Sequence, residues 1–242
     1  MSKIITKVAL VTPTYNRDHF LAQTLQYVLG QITPNFELHW FVADDSAKPS
    51  QHESSFKTMP NVSYFWQAQK QSLGSKRNLL NQWACDWGAE FICSLDDDDW
   101  YGSSYVADMV RLLIDHPEYQ FAGSSEDYYY DVKNNRILKI DAVNEHSSCN
   151  GVLCYRASIA KKHSYNPDAK FAEERSFLHK LPVIQNRNIQ QLHLALAHDS
   201  NTVTKKNYTS HDKFQVDLAL TDFPMSPQQI EFYLNLHSAA QK

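Results

Sequence analysis

The chain has 242 residues, of which 43% are apolar, and this size and composition suit a globular protein of one large domain or two small ones. Its formal net charge of −4 provides no electrostatic basis for binding nucleic acid. The four cysteines form no C-x-x-C pair, and residues 1–7 contain no signal-peptide core, so we predict a cytoplasmic protein. No apolar run approaches transmembrane length, so we predict no transmembrane segment, and any contact with a membrane would be peripheral.

Predicted strands and helices alternate through the first hundred residues. Buried strands are predicted at residues 7–11, 36–43, 62–66 and 91–95. One helix is predicted to end at Gly30. A second is predicted to end at Gly88, with an apolar stripe of Leu79, Trp83 and Trp87 and with Leu80 and Ala84 beside it. Such alternation with short connections predicts an α/β fold, in which helices cover both faces of a mostly parallel sheet.

The second half of the chain is predicted to add shorter elements. These include a helix capped by Ser103 or Ser104, a β-hairpin over residues 128–140 and a last helix that begins at Ser226 and Pro227. The other predicted elements are strands at residues 121–123, 151–156 and 192–197 and short helices at residues 157–163 and 171–181.

Four consecutive carboxylates, residues 96–99, follow the predicted strand at residues 91–95, and we call them the acidic run. Like charges side by side repel one another, and a counter-ion would offset that cost. Carboxylate oxygens suit a hard divalent cation, Mg²⁺ or Mn²⁺, which usually shares its ligands with substrate phosphates. Because ligands bind beyond the carboxyl ends of strands in open α/β sheets, the run is a candidate metal–diphosphate site; the alternative is a solvated acidic loop.

Two other predicted strands also end in polar residues. Residues 14–17 follow the first strand, and residues 44–46 follow the second. The carboxyl ends of parallel strands lie on one edge of a sheet, so we expect both clusters to converge with the acidic run.

In their order along the chain, these motifs resemble those of the family 2 glycosyltransferases of GT-A fold. The matching segments are TPTYNR at residues 12–17, VADDS at 42–46, GSKRN at 74–78, LDDDD at 95–99, EE at 173–174 with FL at 177–178, and HDSNT at 198–202. The resemblance implies one GT-A domain over residues 1–206, with a nucleotide-binding part of about residues 1–100 and an acceptor and catalytic part of about residues 101–206. Residues 207–242 are predicted to form a C-terminal helical extension.

The resemblance also implies an activity. A family member of this kind moves a sugar from a nucleoside-diphosphate sugar, by default a UDP-sugar, to a hydroxyl of a saccharide or glycoconjugate acceptor. The reaction inverts the anomeric carbon, uses Mn²⁺ or Mg²⁺ and serves polysaccharide or glycoconjugate synthesis. The chemistry is consistent, because a divalent ion stabilises charge on the departing diphosphate. A carboxylate must also take the proton of the attacking hydroxyl as a general base.

The resemblance assigns the metal ligands to the acidic run and to a segment about a hundred residues later. Asp98 is the expected direct ligand, and Asp96 is a second ligand or acts through water. His198 can offer an imidazole nitrogen to the same ion. Asp97 is expected to contact the ribose.

The general base is expected in the pair Glu173 and Glu174, where the family usually has Glu-Asp. We align Glu174 with the base, because residues 177–178 stand where the family has its apolar pair. Glu173 is the alternative.

The remaining expected contacts are with the donor nucleotide. Asp45 would accept a hydrogen bond from the base, and Pro13 and Tyr15 would flank it, with the Tyr15 ring as a stacking face. Arg77, near a helix start, would pair with the diphosphate. The other donor-binding residues implied by the motifs are Thr12, Arg17, Asn201 and Lys205.

Each assignment has a structural alternative. Tyr15 and His198 also fit packing roles, and Arg77 also fits a solvated helix position. Glu173 and Glu174 also fit first-turn acids that the helix dipole favours.

Two other functions are also compatible with parts of the sequence. A sugar nucleotidylyltransferase would carry a glycine-rich loop after its first strand, whereas residues 12–17 contain no glycine. A non-catalytic module that binds a nucleotide sugar or a metal would not need a candidate base.

Overall fold

The computed structural model describes residues 6–33, 35–169, 172–198, 201 and 205–241. Within them the strands are β1 Thr6–Thr14, β2 Phe36–Asp44, β3 Val62–Trp66, β4 Phe91–Ser94, β5 Trp100–Tyr101, β6 Phe121–Gly123, β7 Asp127–Asp131, β8 Arg136–Ile140, β9 Cys154–Arg156, β10 Val183–Gln185 and β11 His193–Ala197. The helices are α1 Asp18–Leu29, α2 Glu53–Lys57, α3 Leu73–Trp87, α4 Tyr105–Asp115, α5 Ala157–Ala160, α6 Glu174–Leu178, α7 Lys206–Thr209 and α8 Pro227–Ala240. Phe171, Asp199, Ser200 and Thr202, which belong to predicted elements and motifs, lie outside the described residues.

A seven-stranded sheet in the order β10-β6-β9-β4-β1-β2-β3 forms the larger layer. β4, β1, β2 and β3 are parallel to one another, and β9 is antiparallel to both of its neighbours. Thr14 stands opposite Asp44, and Val11 stands opposite Ser94. The carboxyl ends of the three strands therefore meet at one edge, which confirms the predicted α/β fold with a mostly parallel sheet.

The two faces of this sheet are covered by different helices. Val8 and Leu10 of β1 pack with residues of α1 and α4, whereas Ala9 and Val11 pack with residues of α3. Successive side chains of a strand point to opposite faces, so a strand that is covered on both sides has a continuous apolar sequence. This explains why β1, β2 and β4 could be recognised as short apolar runs.

α3 begins at the carboxyl edge of the sheet and buries a different stripe from the one predicted. Ser72 caps it by accepting from the Ser75 amide at 3.1 Å, and Gly88 ends it in a left-handed conformation, as expected. Its most buried apolar residues are Leu80 and Ala84, whereas the predicted Leu79, Trp83 and Trp87 are half-buried at the side. The prediction was wrong because polar Lys76, Arg77 and Asn81 share the buried face and break its apolar pattern.

A second sheet, in the order β5-β11-β7-β8, lies beside the acidic run. The predicted hairpin supplies β7 and β8, and β11 runs parallel to β7. β5 follows the acidic run directly, and its Tyr101 pairs with His193 of β11. This pairing brings β11, almost a hundred residues later in the chain, to the end of β4.

Several short elements differ from their predictions. β5, β10 and α2 were not predicted, and they contain only two, three and five residues. α6 ends at Leu178 rather than at residue 181, because His179 and Lys180 both have positive φ. Ser104 stands at the N-cap of α4, but its side chain bonds Asp108 instead of capping a backbone amide.

The C-terminal helix packs against the same core as the large sheet. Ser226 caps α8 as predicted, and Tyr233 is almost fully buried, with its hydroxyl 2.7 Å from that of Tyr27. The Phe232 ring also contacts Phe20 of α1. None of the helices in the described residues is both long and apolar enough to cross a membrane.

Candidate active site

A cavity of about 600 Å³ opens at the carboxyl edge of the large sheet. Its walls come from the end of β1, the start of α3, the acidic run, β7, β11 and the residues just before α6. The predicted site residues that line it are Pro13, Tyr15, Arg17, Arg77, Asp96, Asp97, Asp98, Glu173, Glu174, Asn201 and Lys205. Thr12, Asp45 and His198 lie outside this lining.

The acidic run is buried, which contradicts the alternative of a solvated loop. Asp97, Asp98 and Asp99 are each at most 7% exposed, and only the side chain of Asp96 is substantially exposed, at 25%. Burying several carboxylates together requires counter-charge and hydrogen bonds. The protein supplies much of both, so the repulsion between the four charges does not by itself require a metal.

Asp97 is held by residues at the end of β1 and the start of α1. Thr14 Oγ1 donates to Asp97 Oδ2 at 2.6 Å, and Arg17 Nη1 lies 2.7 Å from Asp97 Oδ1. Burial and the charge of Asp98 raise the pKa of Asp97 to about 6, against the opposing effects of Arg17 and Thr14. Both oxygens of Asp97 thus have partners within the protein, and its contact with a ribose stays a prediction.

Three side chains converge on Asp98 Oδ2. Arg17 Nη1 lies at 2.8 Å, His198 Nε2 at 2.9 Å and Asn201 Nδ2 at 3.2 Å. Burial opposes ionisation of Asp98, but the hydrogen bond with His198 and the charge of Arg17 outweigh it, so the pKa of Asp98 lies below its usual value. The fold has thus brought together Asp98 and the segment of His198 and Asn201, as the motifs led us to expect.

These residues provide two candidate metal ligands. Asp98 Oδ2 and His198 Nε2 are close enough for one ion to contact both, since metal–oxygen and metal–nitrogen bonds are about 2.0–2.2 Å long. In the part of the chain that the structure describes, no group of three or more acidic, histidine or cysteine side chains could hold a metal. The donor set therefore fits an ion whose other ligands are phosphate oxygens and water. Asp96 lines the same cavity, with its Oδ1 3.0 Å from Arg77 Nη2, and its role as a second ligand or through water stays a prediction.

Arg77 links the acidic run to the pair before α6. Its guanidinium is buried, with Nη2 3.0 Å from Asp96 Oδ1 and Nε 3.0 Å from Glu173 Oε1. The amide oxygen of Asn150, turned toward the guanidinium, also accepts from it at 2.7 Å. A buried guanidinium is stable only when it is neutralised and hydrogen-bonded, so the alternative of a solvated Arg77 is wrong. Its pairing with a diphosphate stays a prediction.

Glu174 lines the cavity without such a partner. Glu173 is 5% exposed and held by Arg77, whereas Glu174 forms no ion pair with any described residue. Burial and the neighbouring charge of Glu173 raise the pKa of Glu174, with Arg77 opposing them. Ala172, just before the pair, has a φ of +52°, which is a strained backbone conformation for a residue other than glycine.

Two residues that were predicted to bind the nucleotide, Thr12 and Asp45, bond other parts of the protein. Thr12 is fully buried, and its hydroxyl donates to the Leu95 carbonyl at 2.6 Å and accepts from Trp40 Nε1 at 2.8 Å. Asp45 is also buried: Lys76 Nζ lies 2.7 Å from Oδ1, and the Gln71 amide donates to Oδ2 at 2.6 Å. Asp45 faces a separate cavity of about 210 Å³, and its contact with the base stays a prediction.

Tyr15 remains at the surface of the larger cavity. Its ring is half-buried, and Lys70 Nζ lies 3.9 Å from the ring centroid. A ring that is covered by a lysine side chain rather than by core residues can offer its face to a planar ligand. The packing alternative for Tyr15 is therefore not supported.

A match to a family model identifies the chain. The model for "Glycosyl transferase family 2" matches residues 9–188, which is well over half of the sequence. The chain belongs to glycosyl transferase family 2. The match covers the motifs from Thr12 to Glu174 and confirms the resemblance, but it ends before His198, Asn201 and Lys205.

Similar proteins extend this family assignment. Glycosyltransferase GlyA of Streptococcus pneumoniae serotype 4 (strain ATCC BAA-334 / TIGR4) is 24% identical over 126 residues, which cover 51% of this chain but 17% of that protein. The structure of residues 1–349 of S. aureus TarS in complex with UDP-GlcNAc superposes with a TM-score of 0.61 at 16% identity, and covers 81% of this chain and 60% of that one. The chain thus spans only part of the length of both relatives.

A second structural relative is the mannosyltransferase PcManGT of Pyrobaculum calidifontis in complex with GDP-Man and Mn²⁺. It has a TM-score of 0.59 at 11% identity, and the match covers 98% of this chain and 74% of that one. At such identities the likeness shows a shared fold, which agrees with the expected GT-A-like architecture.

The family 2 motifs did not reveal one set of buried residues at the site. His193, at the start of β11, lies between Asp127 and Asp99, with its Nδ1 2.9 Å from Asp127 Oδ1 and its Nε2 3.2 Å from Asp99 Oδ2. All three line the cavity. These partners stand 66 and 94 residues from His193 in the sequence, and a histidine at the edge of a predicted strand gives no signal of either contact.

We predict that His193 makes the stability of the protein depend on pH. Burial opposes its protonation, but Asp127 and Asp99 outweigh burial and raise the pKa of His193 to about 10. Since the folded pKa lies above the unfolded value of about 6.5, the stabilisation is present below about pH 6.5 and is lost as pH rises through about 10. Urea unfolding from pH 6 to 10 should show the unfolding free energy of the unmodified protein falling relative to that of His193→Gln. Parallel curves for the two proteins would contradict the prediction.

Proposed function

We propose that this chain transfers a sugar from a nucleoside-diphosphate sugar to a hydroxyl of a saccharide or glycoconjugate acceptor, with inversion at the anomeric carbon. The observation that carries the proposal is that one cavity holds both the acidic run and Glu174, a carboxylate with a raised pKa and no ion pair among the described residues. Transfer requires a site that binds a leaving diphosphate and a separate base for the acceptor. Family membership supports the same reaction class.

The end of β4 is the proposed position of the diphosphate. Asp98 and His198 would hold Mn²⁺ or Mg²⁺, which when bound supplies positive charge to stabilise the departing diphosphate. Asn201 and Lys205 line the same part of the cavity, and Lys205 lies close enough to Asp98 to lower its pKa further. The PcManGT complex with GDP-Man and Mn²⁺ supports metal use in a protein of this fold.

Glu174 is the proposed general base. A carboxylate whose pKa is raised toward the working pH accepts a proton more readily from an acceptor hydroxyl. Glu173 fits the role less well, because its carboxylate is paired with buried Arg77. The contacts around Glu173 suit a residue that fixes the position of Glu174.

The nucleotide is proposed to lie along Pro13 and Tyr15, with uridine as the base. Both residues line the cavity, and the TarS complex with UDP-GlcNAc supports a uridine nucleotide in this fold. For the base to reach Asp45, the Gln71 amide and Lys76 ammonium that now occupy its oxygens would have to move.

The test of the function is product analysis with purified protein. Incubation with UDP- and GDP-sugars, Mn²⁺ and a panel of saccharide acceptors should release free nucleoside diphosphate and label an acceptor. A sugar nucleotidylyltransferase would instead make a nucleotide sugar and pyrophosphate from a nucleoside triphosphate and a sugar phosphate. A binding module would release nothing, and either of these results would reject the proposal.

We predict that Lys205→Ala weakens binding of UDP more than binding of uridine. The Lys205 ammonium lines the cavity, 4.5 Å from the centroid of Tyr129, and its charge would act on the diphosphate rather than on the base. Calorimetric titration of the variant with each ligand measures the difference. Lys213→Ala, at an exposed cation outside the cavity lining, is the matched control. Equal losses for UDP and uridine would place Lys205 away from the diphosphate.

A further inference from the structure

The contacts of His193 connect three separate parts of the site. The imidazole joins Asp99, at the end of the acidic run, to Asp127, at the start of β7. All three side chains are almost fully buried, and each ring nitrogen has one carboxylate partner. A charged imidazole between two carboxylates is a strong and directional connection, because each hydrogen bond is assisted by opposite charges.

Asp99 also fixes the backbone of β11. While its Oδ2 faces His193, its Oδ1 accepts from the Leu196 amide at 2.8 Å. The strand is therefore attached to the acidic run at two points, His193 and Leu196. His198 follows two residues after Leu196, and its ring reaches Asp98 at 2.9 Å.

The space around this connection is small. A Cβ added to Gly151 would lie 3.2 Å from both Asp99 Oδ2 and His193 Nε2. Contacts as short as this are rare for a Cβ, so a larger residue at position 151 would require Asp99 or His193 to shift by a few tenths of an ångström. The backbone at Gly151 thus closes the pocket in which His193 and Asp99 meet, and the imidazole has little room to shift.

We propose that His193 is a positioning residue: held between Asp127 and Asp99, it sets β11 so that His198 meets Asp98, and so determines how tightly the site holds a divalent cation. This inference rests on the proposed function, in which Asp98 and His198 hold the ion. His193 itself would not touch the metal or the substrate. Residues that orient metal ligands in this way commonly change metal affinity by about 10- to 100-fold when replaced.

The experiment measures Mn²⁺ affinity by electron paramagnetic resonance of unbound Mn²⁺, with UDP at saturation. We expect His193→Gln to weaken Mn²⁺ binding by about 10- to 100-fold, because the amide cannot join both carboxylates as the charged ring does. His39→Gln is the matched control, since His39 is a half-buried strand histidine that bonds Ser63 and lies outside the cavity lining. Its Mn²⁺ affinity should equal that of the unmodified protein.

A double-mutant cycle separates positioning from a general loss of structure. In the His198→Ala background, His193→Gln should have little further effect on Mn²⁺ affinity, because its action passes through His198. Should His193→Gln fail to fold, Asp127→Asn, which keeps the shape and removes the charge, takes its place in the same cycle. If the substitution at position 193 or 127 weakens Mn²⁺ binding by the same factor with and without His198, the inference is overturned.

Two outcomes distinguish this inference from the function on which it rests. If the unmodified protein binds no Mn²⁺ in the presence of UDP, the proposed metal site fails and the inference fails with it. If the unmodified protein binds Mn²⁺ and His193→Gln binds it equally well, the metal site stands and only the positioning role is overturned.

Discussion

Glu174→Gln is expected to lower the rate of sugar transfer by about 10²- to 10⁴-fold, which is the usual scale for loss of a general base. The substitution keeps the size of the side chain and removes its ability to take a proton. Donor affinity should barely change, because Glu174 is assigned to the acceptor proton and not to the nucleotide. Initial rates of nucleoside diphosphate release, with calorimetry of donor binding, measure the two quantities separately.

The pH profile of transfer provides a second readout of the same residue. The base must be ionised, and burial raises the pKa of Glu174 above its ordinary value of 4.5. Activity should therefore fall with decreasing pH at a point above pH 4.5, and this limb should be absent from the residual activity of Glu174→Gln. If the acid limb of the pH profile is the same in Glu174→Gln as in the unmodified protein, the group that titrates there is not Glu174.

Two further variants serve as controls for the result with Glu174→Gln. Glu118→Gln changes an exposed glutamate outside the cavity lining and should retain full activity. Glu173→Gln removes a charge from the Arg77 pair, so it is expected to act through stability and positioning more than through proton transfer. If Glu173→Gln is inactive and Glu174→Gln is active, the general base is Glu173. If both variants are active, neither glutamate is the base and this stretch has a structural role.

Asp98→Asn is expected to lower transfer by about 10²-fold or more and to remove most of its dependence on Mn²⁺. The amide keeps the shape of the carboxylate but not its charge, and so cannot balance a divalent ion that stabilises the leaving diphosphate. Initial rates measured across a range of Mn²⁺ concentrations report both effects.

The fold of this variant can be checked independently. Arg17 retains Asp97 as a partner, and His198 and Asn201 can still reach the side chain at position 98, so the circular dichroism spectrum should be native. Asp115→Asn, at an exposed helix end, is the control and should behave as the unmodified protein. A Mn²⁺ response in Asp98→Asn equal to that of the unmodified protein would exclude Asp98 as a ligand.

The central part of the fold could be predicted from local patterns. The buried segments at residues 8–11 of β1, 40–43 of β2 and 91–93 of β4 are continuous apolar runs, and each strand ends in polar residues at the edge where the site forms. β5 and β10 could not be predicted, because two or three residues carry no periodicity and depend on partners far along the chain.

The candidate site was predictable in position but not in its electrostatics. Four adjacent carboxylates at a strand end indicated a charged site, and motif order brought Glu174 and His198 into it. The sequence could not show that Arg17, Arg77 and His193 neutralise those carboxylates, because each ion pair joins residues at least 19 positions apart. The counter-charge first assigned to a metal alone is therefore shared with the protein.

The same limit applies to the protein contacts of two residues that were predicted to bind the donor. Thr12 and Asp45 occupy motif positions at the ends of β1 and β2, where a polar side chain suggests a ligand. Their partners, the Leu95 carbonyl for Thr12 and Lys76 for Asp45, belong to other motifs of the same series, and the order of the motifs does not show which residues are in contact. A buried polar group needs a hydrogen-bond partner, and here the protein supplies it.

The most direct test of the account is calorimetric titration of the unmodified protein with UDP, with and without Mn²⁺. The proposed site shares one ion between Asp98 and the diphosphate, so it predicts markedly tighter binding of UDP when Mn²⁺ is present and no such gain for uridine. Equal UDP affinity with and without Mn²⁺ would contradict a metal–diphosphate site at the end of β4.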